Sequence, residues 1–152
     1  MGIIRRYSIY DATVTDWEVI LKLSNLWDFP EVKNLAIHEL EKKDILDVKR
    51  IKLYHENNVD RNILIPRYAA LFEREAPLTI DEGLDLGMET MVMVAAGRVE
   101  ARASRLTTGG RSSLSPTVSG AELHDIVREN FHITPEPPFD NKDNTGELVA
   151  TS

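Results

Sequence analysis

Apolar residues recur at helical spacing along most of this chain, separated by short polar breaks. From Trp17 the run Trp17, Val19, Ile20, Leu21, Leu23, Leu26 and Trp27 covers more than one face of a helix, with Glu18, Lys22, Ser24 and Asn25 as its polar members. A helix apolar over most of its circumference is expected at the centre of a fold, contacted from several sides. Thr15 and Glu18 stand three apart, as in a capping box, with Val14 and Val19 as the hydrophobic staple; the spacing predicts a start at Thr15. Pro30 suits the first position of a second helix, which carries Val32, Leu35, Ala36, Ile37 and Leu40. The stretch from Asp16 to Leu40 thus reads as two helices joined at a Phe29-Pro30 corner, and the rest of the chain as arranged around it.

A third helix is expected from a cap at Asp44 to Asn57-Asn58, buried through Ile45, Leu46, Val48, Ile51, Leu53 and Tyr54; asparagine tolerates the left-handed conformation that closes many helices. Pro66 disfavours helix at Ile65, so the next helix should begin at Pro66, place Tyr68, Leu71 and Phe72 on one face, and end before Ala76-Pro77. Thr79 and Glu82 form a second capping box. From Ile80 a helical pattern continues to Arg102, with Leu84, Met88, Met91, Ala95 and Val99 as its apolar stripe. Gly83, Gly87 and Gly97 interrupt it at about 1 kcal/mol each relative to alanine, and such glycines often mark close helix approach.

These elements predict an all-α bundle of five or six helices. Residues 1–14 form an N-terminal arm, 15–104 a helical domain, and the Ser/Thr/Gly-rich stretch 105–120 a flexible linker. Leu123, Ile126, Val127 and Phe131 mark a terminal helix over 121–133 that docks back on the body, and the polar, proline-rich 134–152 is expected to be disordered.

Composition narrows the function. The 152 residues are 42% hydrophobic and 28% charged, which suits a packed core, and the net charge of -7 disfavours non-specific binding to nucleic acid or to an anionic membrane. No cysteine is present, which removes disulfides, thiolate nucleophiles and cysteine metal sites. Nothing resembles a signal peptide, and no run approaches the roughly 18 apolar residues of a membrane span, so the expected location is intracellular, cytoplasmic or nuclear.

Candidate chemistry is sparse. His38, His55, His124 and His132 do not share metal-ligand spacing; after His38-Glu39, Lys42 stands where a zinc-protease helix needs its second histidine. The Asn141–Glu147 stretch lacks a calcium loop's twelfth-position glutamate, and Gly109-Gly110-Arg111-Ser112 lacks the lysine of a phosphate loop. No catalytic, cofactor or metal residue is therefore assigned. Candidate partner-binding residues are Arg67 and Tyr68 on the 66–75 helix, and Met88, Met91 and Arg98 beside the 80–102 helix, where methionine adapts to a partner's shape or fills the core. Ser115 and Thr134 precede prolines and are candidate phosphorylation sites. The arginines between 98 and 111 carry the second reading, a regulatory nucleic-acid-associated protein.

Several strings resemble a known family. The segment Thr15–Ile37, with Trp27-Asp28-Phe29-Pro30, is similar to the region just after the BTB/POZ domain in fungal, mushroom-type BTB domain-containing proteins. Asp47–Tyr54, Ile65–Glu75, Leu78–Gly87 and Ala96–Glu100 resemble later parts of that region in register, so the likeness spans about Tyr10 to Arg102. Arg61-Asn62-Ile63-Leu64 departs from it, since family members carry a tryptophan before the leucine ahead of the proline helix. The BTB fold has at most a remnant in residues 1–14, so the dimerisation and cullin docking it provides are not implied. The resemblance implies a helical protein-interaction module, a scaffold or adaptor fragment without catalytic residues, whose partners are proteins, another copy of itself included.

Overall fold

Thr13 opens the first helix. A computed structural model of the chain describes residues 12–108 and 120–135, and every regular element among them is helical, with no strand. Seven α-helices follow in order: α1 Val14–Leu26, α2 Pro30–Glu41, α3 Asp47–Glu56, α4 Ile65–Glu73, α5 Ile80–Leu86, α6 Met88–Thr108 and α7 Gly120–Phe131, with a 3-10 turn at Arg61–Leu64. The N-terminal arm to residue 11, most of the linker, and the tail from 136 onward lie outside the described residues.

The cap of α1 is Thr13, not Thr15. The Thr13 hydroxyl accepts from the Asp16 amide at 3.3 Å, and the Asp16 carboxylate accepts from the Thr13 amide at 2.8 Å. Pro30 stands at the first position of α2 as expected. Leu46, rather than Asp44, precedes α3. The Thr79–Glu82 box caps α5 with both bonds made. The 80–102 pattern is two helices, because Gly87 at φ 81° ends α5 and α6 restarts at Met88. That break takes the count to seven, and α6 runs on to Thr108.

Three helices close in the same way. Beyond α1, α3 and α7 a residue with positive φ (Asp28, Asn58 and His132) turns the chain, and the next amide reaches back to a carbonyl five residues earlier. These bonds are Phe29 to Ser24, Val59 to Tyr54 and Ile133 to Arg128, at 2.9–3.0 Å. This closure satisfies carbonyls that the helix end would leave open.

The centre of the fold is α4, which packs against α3, α6 and α7. Its Tyr68 ring stacks on Phe131 of α7 with centroids 3.9 Å apart, and Phe72 lies beside the same ring at 6.4 Å. The terminal helix thus docks on the body. The α1–α2 hairpin is peripheral, and α1 packs chiefly on α2. It joins the rest through Trp17, Leu21, Ile37 and Leu40 in the core and through Arg50. The Arg50 guanidinium donates to the Leu40 and Lys43 carbonyls and to Glu41, which also accepts from Tyr54 and Arg67.

Candidate docking face and cavity

The hairpin carries more apolar surface than its own core uses. Trp17, Leu21 and Ser24 form the buried row of α1. Val19, Leu23 and Leu26 lie two residues further along each time, about 200° around the helix, and are exposed. Trp27 and Phe29 at the corner, and Val32 and Leu35 on the first turns of α2, are exposed as well. An antiparallel hairpin brings those first turns beside the Leu23–Leu26 end of α1. The sequence places these residues in the centre of the fold; the structure corrects that, since Leu26 is 71% and Trp27 61% exposed. A cleft of about 450 Å³ runs from this face toward α3, with Val19, Leu26 and Leu53 as its apolar side and Glu18, Lys22 and Glu56 as its polar one.

A second cavity, of about 470 Å³, lies where five helices meet. The end of α3 gives His55, the following loop Asn58 and Val59, the 3-10 turn Arg61, and α4 Tyr68. Leu86 and Gly87 close α5 there, Met88, Glu89, Thr90 and Met93 open α6, and Phe131 of α7 completes the wall. His55 Nε2 and Tyr68 Oη are hydrogen-bonded at 2.5 Å. Burial, helped by the nearby Arg61 charge, lowers the imidazole pKa against the opposing pull of Glu89. Burial also pushes the Tyr68 phenol up. Both rings are therefore neutral at neutral pH.

The candidate residues from the sequence fall in different places. Tyr68 is fully buried and Arg98 nearly so, at 8% exposure. The Arg98 guanidinium donates to the Leu71 and Glu75 carbonyls, so it closes the end of α4 and does not reach outward. Arg67 is half-buried and pairs with Glu41 and Asp47. Met88 is exposed at the cavity rim, and Met91 is half-buried with its sulfur against Gly83. Thr134 is exposed; Ser115 and Arg111 lie outside the described residues. The predicted stripe on the long helix is reversed: Leu84, Met88 and Val99 face outward, while Thr90, Val94, Gly97, Arg98 and Ala101 face the core.

Among the described residues no group of three or more histidines and carboxylates is placed to hold a metal ion, and no helix is long and apolar enough to cross a membrane. No protein-family profile, curated protein or solved structure matches the chain. The residues that sequence reasoning missed are the exposed hairpin face and the cavity set His55, Arg61 and Thr90. The first has a signal in the sequence, an excess of apolar residues over what one helix face can bury. The second is scattered over thirty-six positions and has none.

Proposed function

We propose that this chain is a protein–protein interaction module, without catalysis, that acts through the exposed apolar face of the α1–α2 hairpin. The occupant of that face is a second copy of the chain. The observation that carries the reading is the run of seven exposed large apolar residues from Val19 to Leu35. From the usual sizes of such side chains and their exposures, they present roughly 600–700 Å², close to the ~800 Å² per partner of a standard interface. A patch of that size exceeds what a monomer normally leaves in water. Two copies related by a two-fold axis would stack hairpin on hairpin as four helices, an arrangement in which one patch serves as both donor and acceptor.

The resemblance of residues 10–102 to the helical region behind a BTB/POZ domain supports the same class of function, a scaffold or adaptor. The nucleic-acid reading loses its leading residue, because Arg98 is committed to two carbonyls.

Sedimentation of the full chain over a concentration series tests the proposal. The expected result is a dimer, with Leu26→Glu and Trp27→Glu each weakening it at least about tenfold, equivalent to ~1.4 kcal/mol. Helicity of the variants should match the parent, since neither side chain is in the core. A parent chain that stays monomeric throughout, or variants that dimerise as well as it does, would overturn the reading.

A further inference from the structure

The cavity at the start of α6 has an open set of hydrogen-bond donors. The first amides of a helix have no acceptor within it, and those of Met88, Glu89 and Thr90 find none elsewhere among the described residues. Thr90 lines the cavity while nine-tenths buried, and its hydroxyl has no hydrogen-bond partner among the described residues. The hydroxyl itself is not shut off from the cavity, so it is free to bond an acceptor there. Arg61, also on the wall, makes no ion pair among the described residues.

These donors and the positive end of a 21-residue helix favour negative charge. Glu89 on the same wall opposes added negative charge, so a single negative charge fits better than two. His55 and Tyr68 satisfy each other and stay neutral. Val59, Leu86, Met93 and Phe131 contribute an apolar part to a wall that is otherwise polar. The volume lies within the range of small-molecule sites.

We infer that this cavity binds a small monocarboxylate with an apolar body, its carboxylate on the Thr90 hydroxyl, the first amides of α6 and Arg61. The apolar body lies against Met93 and Phe131. The site is separate from the hairpin face and stands or falls apart from self-association.

Titration of the full chain with 3-phenylpropionate, followed by amide chemical shifts, tests it. The expected result is saturable binding with downfield movement of the Glu89 and Thr90 amide protons. The matching alcohol, 3-phenylpropanol, should bind at least about tenfold more weakly, and inorganic phosphate more weakly than the acid. Arg61→Gln and Thr90→Val should each weaken the acid several-fold and the alcohol much less. Arg61 is exposed, so its variant tests the site even if Thr90→Val unsettles the start of α6. No saturable shift, equal affinity for acid and alcohol, tighter binding of phosphate, or insensitivity to both substitutions would each overturn the inference.

Discussion

Phe72 lies against Gly97 so closely that no side chain fits between them. A Cβ built on Gly97 would come within 2.1 Å of the Phe72 ring. The ring cannot swing aside, because it is buried and held beside Phe131. This contact sets how near α4 and α6 approach. Gly97→Ala gains about 1 kcal/mol of helix propensity but overpacks the contact, which costs about 1–3 kcal/mol and more when backbone must move. The expected outcome is a lower urea midpoint with an unchanged slope. Gly83→Ala makes the contrast: its nearest neighbour is the Met91 sulfur at 2.7 Å, the end of a flexible side chain, so that variant should be neutral or more stable.

The start of α1 separates two threonines that the sequence alone leaves equivalent. Thr13–Asp16 and Thr15–Glu18 have the same spacing and the same chemistry. The structure makes both cap bonds at Thr13, and Thr15 is an exposed first-turn residue. Thr13→Ala should cost about 1 kcal/mol, measured by thermal or urea unfolding. Thr15→Ala should stay within about 0.5 kcal/mol of the parent, with any change toward greater stability, since alanine is the better helix former.

That pair shows what was legible in the sequence. Helix identity and order follow from local periodicity, and the boundaries at Pro30 and Thr79 follow from residues whose chemistry allows few alternatives. Where two caps of the same spacing compete, periodicity alone does not choose between them. The packed face of α6 is opposite to its apolar stripe for a physical reason. Close approach to Phe72 requires small residues, so the packed side carries Gly97 and Ala101, while larger residues such as Met88 and Val99 point outward. Hydrophobicity marks burial only where neighbours are far enough apart to admit large side chains. The cavity was illegible because His55, Arg61 and Thr90 come from separate elements that only the fold brings together.

Acid should weaken the α4–α5 connection in a defined window. Arg74 donates to both Glu82 oxygens, at 2.7 and 2.8 Å, and the Thr79 amide donates to one of them. Chiefly through Arg74, then through Thr79, the Glu82 pKa is pushed down from 4.5 to about 2. A carboxylate held low in the folded state stabilises it above the unfolded pKa, and that contribution is lost as pH falls through the folded value. The melting temperature should therefore decline as pH drops from about 4.5 toward 2, and Glu82→Gln should flatten part of that decline. Asp16 and Glu41 are also held low, so some slope will remain. An identical pH profile for parent and variant would show that the pair contributes nothing to stability.

Arg50 is the residue on which attachment of the hairpin most depends. Its guanidinium is buried between α2 and α3, with Leu40 O at 3.0 Å, Lys43 O at 2.7 Å and Glu41 at 2.7 Å. Burial pushes the Glu41 carboxyl up, but hydrogen bonds from Tyr54 and Arg50 outweigh it and hold the pKa below its ordinary value. Arg50→Met fills the space but leaves two carbonyls without their donor and Glu41 with only Tyr54 and Arg67, so it should cost about 1–3 kcal/mol. Lysine keeps the charge but cannot fork toward three acceptors, so Arg50→Lys should also destabilise, by less. Removing the acid first changes the outcome: in a Glu41→Gln background the same Arg50→Met change no longer breaks an ion pair. The double variant should then lose clearly less than the sum of the two single losses in urea unfolding. Strict additivity would mean that the two side chains act separately, and that apolar packing alone holds the hairpin to the body.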